Sequence, residues 1–164
     1  MKILVLSDSH SSLRFMRRSI QKICPDHVVH LGDHYDDGQA LAEEFPHIRF
    51  HQVPGNCDRY RVHPGVHDFL CYPMGGVMVF MTHGHLHQVK QDTGGLIADA
   101  RSYGAQIVLY GHTHRAECYQ CPDGFWVLNP GSCGSDGGSV GLFEICDKKI
   151  TACRILRQTE LEEF

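Results

Sequence analysis

The ends of this chain's apolar runs are where its aspartates, asparagines and histidines gather, and that coupling constrains the fold more than any other feature. Lys2-Ile3-Leu4-Val5-Leu6 reads as a strand and gives way to Asp8-Ser9-His10. His27 to Leu31 is followed by Gly32-Asp33-His34, and Ile48 to Val53 breaks at Pro54-Gly55-Asn56-Cys57-Asp58. Between the first two runs, Leu13, Met16, Ile20 and Ile23 share one helical face, with Ser11 or Ser12 placed to cap it. A second helix is expected around Gln39 to Phe45. Three consecutive strands therefore end in a polar loop.

The rhythm then changes. Phe69 to Tyr72 and Val77 to Met81 flank Pro73-Met74-Gly75-Gly76, the signature of a hairpin. Thr82-His83-Gly84-His85-Leu86-His87 follows, then a helix at about Gly95 to Tyr103 and a strand, Gln106 to Tyr110, ending in Gly111-His112-Thr113-His114. Glu117 to Gln120, Phe125 to Leu128, Val140 to Cys146 and Ile150 to Ile155 are short strands joined by turns. The expected architecture is α/β: two β-sheets packed as a sandwich and flanked by helices.

At 164 residues the length suits a single domain spanning 1–164. The formal charge of −4 gives no basic field, so bulk nucleic-acid binding is not expected. No apolar run approaches the roughly 20 residues that span a bilayer, so no membrane partner is expected either. The chain opens on a strand, leaving no room for a signal peptide, so its eight cysteines are expected to be reduced thiols in a cytoplasmic protein. Cys118 and Cys121 form one CxxC without a second pair at zinc-ribbon spacing and read as hairpin thiols. Gly131 to Gly138 is glycine-rich and reads as a mobile loop, either a solvated connection or a lid whose N–H groups approach a phosphate. A homo-oligomer stays open.

Taken singly, an Asp-x-His or His-x-His in a loop is an ordinary solvated turn. Here Asp8 with His10, Asp33, Asn56, His83, and His112 with His114 make five sets of oxygen and nitrogen donors. Each lies just past the C-terminal end of an expected strand, the edge where open α/β sheets bind ligands. Five coincidences favour one shared metal site.

In order and spacing, Asp8-x-His10, Gly32-Asp33, Gly55-Asn56-Cys57-Asp58, Thr82-His83-Gly84-His85 and Gly111-His112-x-His114 resemble the motifs of calcineurin-like metallophosphoesterases along nearly the whole chain. The short length and the Gly-Asn-Cys-Asp variant look like the small bacterial and archaeal phosphodiesterase branch, whose fold also resembles vacuolar sorting protein 29. The resemblance implies that Asp8, His10 and His114 hold one divalent metal ion, that Asn56, His83 and His112 hold a second, and that Asp33 bridges them.

Independently, an imidazole and carboxylate donor set without thiolate suits Mn²⁺, Fe²⁺, Co²⁺, Ni²⁺ or Zn²⁺ better than Ca²⁺, with Mn²⁺ the first choice. Two such ions share a water, lower its pKa and aim the hydroxide in line at phosphorus, so no covalent nucleophile is required. The expected activity is hydrolysis of phosphate esters, a phosphodiesterase before a phosphomonoesterase or nucleotidase, on substrates that include nucleotide-like esters. A non-catalytic scaffold of the same fold is the contrasting reading, and the complete ligand set speaks against it.

Cys57 departs from the family, many of whose members carry histidine after this asparagine. A thiol is a poor acid at neutral pH and brings no positive charge, so Cys57 is read as a small loop residue at the substrate, with the leaving-group proton coming from water. Asn56 doubles as a substrate contact. His85 is placed to touch substrate, to deliver a proton or to stand in solvent. His34 and His87 have weaker claims, Asp58 is expected to orient a ligand histidine, and Arg59 and Arg115 either pair with a substrate phosphate or stand in solvent. Asn129-Pro130-Gly131-Ser132 resembles a loop near the family's active site.

Overall fold

A computed structural model describes residues 1–58, 62–134 and 137–162; Arg59, Ser135 and Asp136 lie outside the described residues. Strands β1 (Lys2–Leu6), β2 (His27–His30) and β3 (Arg49–Gln52) run parallel, connected by helices α1 (Leu13–Ile23) and α2 (Tyr35–Glu44). The last two strands, β9 (Ser139–Cys146) and β10 (Lys149–Arg157), return antiparallel beside β1, giving the order β10-β9-β1-β2-β3. The second sheet has the order β4-β5-β6-β8-β7, built from β4 (Phe69–Met74), β5 (Val77–Thr82), β6 (Ile107–Leu109), β7 (Glu117–Gln120) and β8 (Trp126–Asn129). Within it β5, β6 and β8 are parallel. Helix α3 (Gly94–Ser102) lies between β5 and β6 in sequence, and a short α4 (Gln158–Glu162) follows β10.

Strand alternation sorts the apolar side chains into three layers. Ile3, Val5, Val29 and Leu31 of one sheet meet Val79, Met81, Ile107 and Leu109 of the other between the sheets. Leu4, Leu6 and Val28 point the opposite way, onto Met16 and Ile20 of α1 and Leu41 of α2. Phe80, Val108 and Val127 face Leu96 and Ala100 of α3. Both faces of the central strands are covered, which is why they read as continuous apolar runs. The expected α/β sandwich is the fold observed. Among the described residues no helix is long and apolar enough to cross a membrane.

Local differences have local causes. Pro73 falls inside β4, tolerated because β4 is an edge strand, and the hairpin turn is Gly75-Gly76, both at positive φ. Helix α2 starts at Tyr35, ahead of the expected Gln39, because its first N–H groups are satisfied by a distant carboxylate, Asp58. Ser12 occupies the N-cap of α1 without a side-chain cap bond. Cys118 of β7 places its Sγ 2.8 Å from that of Cys153 in β10, so its partner is across the sandwich and not Cys121.

Strand β2 buries both its histidines. His27 Nδ1 lies 2.9 Å from His51 Nε2 on β3. His30 is fully buried against Ser9 Oγ, at 3.2 Å, and burial lowers its pKa from 6.5 to about 4 despite the pull of Asp37, Asp58 and Asp8. The unfolded chain therefore takes up a proton near pH 6.5 that the fold refuses until about pH 4. Stability contributed by neutral His30 is complete above pH 6.5 and is lost as pH falls toward 4. In chelator, urea unfolding should show stability falling by ~1 kcal/mol per pH unit from this group across that window, and His30→Gln should flatten the slope accordingly. An unchanged slope in the variant would contradict the assignment.

Candidate metal centre

The parallel strands bring their C-terminal ends to one edge of the sandwich, and the loops leaving that edge carry every expected ligand. Five of the seven, Asp8, His10, Asp33, His112 and His114, adopt positive φ, between 43° and 65°. Aspartate and histidine tolerate this left-handed region better than most residues, yet each instance costs ~1–3 kcal/mol and persists only where surrounding structure enforces it. Glycine is required beside them: a Cβ on Gly111 would strike Ser7 Oγ and the Asp8 carboxylate, and one on Gly32 would strike the backbone of Gly55.

Asp8 is completely buried. Its Oδ2 accepts the Ser7 hydroxyl at 2.6 Å and the His112 N–H at 3.1 Å. Its Oδ1 has no hydrogen-bond partner, and its neighbours are His114 Nε2 at 3.1 Å and His83 Nε2 at 3.9 Å. A buried carboxylate oxygen facing two imidazole nitrogens has the donor set of a candidate cation site. His83 Nδ1 lies 2.7 Å from the Leu31 carbonyl, a contact that puts a proton on Nδ1 and turns Nε2 inward, 3.1 Å from Asn56 Oδ1 and 3.6 Å from Asp33 Oδ1.

Asp33 accepts the Cys57 N–H at 2.9 Å and the Cys57 thiol at 3.3 Å. Desolvation pushes its carboxyl pKa up, but His83, the two Cys57 hydrogen bonds and His10 together bring it below the usual value. The same contact, with burial as the larger cause, pushes the Cys57 thiol up to about 11. Cys57 thus remains a neutral donor that contacts Asp33 through both its N–H and its thiol. The His112 imidazole is lowered to about 4, by desolvation first and then by His83 and Lys90, and is neutral at physiological pH.

The donor atoms fall into two groups, Asp8 with His10 and His114, and Asp8 with Asp33 and His83. His112 lies 5.1 Å from His83 and His85 5.4 Å, ring centre to ring centre. His34 sits 5.2 Å from His10, whereas His87 turns away to bind Asp99 at 3.0 Å. Asp58 does not touch a ligand histidine. Its buried carboxylate accepts four backbone N–H groups, from Asp33, His34, Tyr35 and Gly55, at 2.8–2.9 Å, and so ties the second ligand loop to the third.

The loop after β8 is the other fastening. Asn129 donates to the Gly111 carbonyl and Thr113 Oγ1, both at 3.0 Å, and Ser132 Oγ donates to the Asp8 carbonyl at 2.8 Å. Gly134 N–H is committed to Asp8 O and Ser132 Oγ. The described start of the glycine-rich stretch is therefore a clamp, not a mobile lid. Its signal in the sequence was Asn129-Pro130-Gly131-Ser132 itself.

Residues 1–148 match the calcineurin-like phosphoesterase superfamily domain, and the chain belongs to that superfamily. It is 31% identical over 136 residues to a probable metallophosphoesterase of Mycoplasma pneumoniae, covering 80% of this chain and 78% of the relative. It is 28% identical over 149 residues to a phosphodiesterase of Methanocaldococcus jannaschii, covering 81% and 84%. Among solved structures, a predicted phosphoesterase of Streptococcus pneumoniae superposes with TM-score 0.76 at 25% identity, over 96% of this chain and 90% of the other. Zinc-bound Vps29 of Entamoeba histolytica superposes at 0.68 and 21% identity, over 96% and 99%, a likeness of fold alone.

Asp58 offers the sharpest check on how the site is held. In Asp58→Asn an amide NH₂ replaces one acceptor oxygen and faces backbone donors, at ~1–3 kcal/mol for each N–H left unsatisfied. Urea unfolding should register that loss, and Mn²⁺ titration should show affinity reduced ~10–100-fold. Unchanged stability and affinity would show that the four hydrogen bonds do not organise the site.

Proposed function

We propose that this protein is a two-metal-dependent phosphodiesterase, and the observation that carries the reading is the buried, unpartnered Asp8 Oδ1 between His83 and His114. Asp8, His10 and His114 would hold one ion and Asn56, His83 and His112 the other. Asp33 would bridge them, its Oδ1 lying 3.6 Å from His83 Nε2 and its carboxylate grouped with that of Asp8. The donor set favours Mn²⁺, with Fe²⁺, Co²⁺, Ni²⁺ or Zn²⁺ also suited. When bound, such a pair supplies Lewis acidity and a water acidified toward neutral pH.

The chain's own residues have defined tasks. Asp33, kept ionised and aimed by Cys57, supplies the charge that allows two cations to sit together. His83, held through Nδ1 by the Leu31 carbonyl, turns Nε2 toward Asn56 and Asp33. Asn56 and His85 stand where a substrate phosphate would approach, with Cys57 beside them. Cys57, with its thiol pKa near 11, does not deliver the leaving-group proton at neutral pH, which leaves that step to His85 or water. A monoesterase would use the same site, and a scaffold of the Vps29 kind is the second reading because the fold is shared. We place the enzyme in the cytoplasm as a single domain.

Exhaustive chelation should abolish hydrolysis of bis(p-nitrophenyl) phosphate, and Mn²⁺ should restore it above the rate for p-nitrophenyl phosphate. Asp33→Asn should lose metal and turnover together. Cys57→Ala should cost less than about tenfold, or 1.4 kcal/mol, on such good leaving groups. Full turnover after chelation, or Cys57→Ala as severe as Asp33→Asn with both metals retained, would sink this reading.

A further inference from the structure

Two hollows flank the ligand loops, and they are unequal. One, of about 170 Å³, lies on the side of Gly55, Asp68 and His85. The other, of about 550 Å³, opens between the segment 89–93, which follows the His83 loop, and the segment 110–119, which contains His112 and His114. Of these two, the second falls within the ~300–1,000 Å³ of ordinary ligand pockets and the first does not. A third hollow, of about 330 Å³, lies at the N-terminal ends of β5, β6 and β8, away from the ligands.

The chemistry of the large hollow is specific. Lys90 and Arg115 enter it from opposite walls, both exposed, and among the described residues no carboxylate lies within ion-pairing distance of either. The hollow also holds two carboxylates, each turned to a neutral donor and neither paired with Lys90 or Arg115: Glu117 accepts the Tyr110 hydroxyl, and Asp92 accepts the Gly94 N–H at 2.8 Å. Tyr119, 39% exposed, offers an aromatic face at the rim. Thr113, between His112 and His114 in sequence, is part of the wall, so the hollow borders the loop that carries both histidines. The Lys90 charge acts on the His112 ring, which shows the same proximity.

We infer that this hollow is the subsite for one ester arm of the substrate, and that it selects an arm carrying a planar ring and a second phosphate, the chemistry of a nucleotide. The inference rests on the phosphodiesterase reading and narrows it. Tyr119 stacks the ring, and Lys90 with Arg115 receives the second phosphate, a planar guanidinium matching two of its oxygens.

Direct binding separates this inference from the reading beneath it. Calorimetry on the Mn²⁺-loaded full chain would compare inorganic phosphate, thymidine 5′-monophosphate and thymidine 3′,5′-bisphosphate. Affinity should rise along that series by ~tenfold at each step, one step for the stacked ring and one for the charge-assisted contacts. Tyr119→Leu should collapse the ratio of monophosphate to phosphate, and Lys90→Gln with Arg115→Gln the ratio of bisphosphate to monophosphate. Lys90→Glu, a surface reversal, should invert the second ratio. Equal affinity for all three ligands, or ratios unmoved in the variants, would overturn the subsite while leaving the phosphoesterase reading standing. Failure of inorganic phosphate itself to bind the loaded protein would count against that reading and would remove this inference with it.

Discussion

Two carboxylates, Asp8 and Asp33, are buried at the point where the two sheets end, and the rest of the structure answers to that constraint. An ionised carboxylate taken out of water costs several kcal/mol unless it is paired and hydrogen-bonded. Three of their four oxygens find donors, from Ser7, the His112 backbone and Cys57. The fourth, Asp8 Oδ1, faces only imidazole nitrogens. Left so, it would weaken the fold, and a cation there turns the same geometry into a stabilising one.

The loops bear a second cost, in backbone strain at the five ligand positions with positive φ. Two fastenings hold them in place. Asp58 gathers N–H groups from two loops, and Asn129 with Ser132 ties the His112 and Asp8 loops to the end of β8. Beneath them the covered strands give a rigid base. The ligand atoms are thus set by packing of Val5, Val29 and Met81 as much as by their own side chains.

How much of this was visible in the sequence follows from range. The sandwich and the gathering of these donor residues at one edge were legible because each signal is local: an apolar run with strand spacing, then a donor residue at once, as in Leu6 to Asp8 or Leu109 to His112. The role of Asp58 was not, because it reaches 23 to 25 positions back to Tyr35 and Asp33, and no periodicity records such a bond. Ser132 reaches Asp8 across 124 positions. The early start of α2 was missed for the same reason, its cap being supplied from another loop. The contact of the Cys57 thiol with Asp33 spans 24 positions and left no mark in the sequence for the same reason. The hollow between Lys90 and Arg115 exists only once two loops 25 residues apart are brought together.

The central claim is that the strand-end donors form a paired metal site. Anomalous diffraction at the manganese edge, from crystals grown with Mn²⁺, tests it most directly. The account predicts two peaks, one among Asp8, His10 and His114 and one among Asn56, His83 and His112, with Asp33 between them. A single ion in a closed tetrahedral shell, or ions bound away from Asp8 and Asp33, would contradict it.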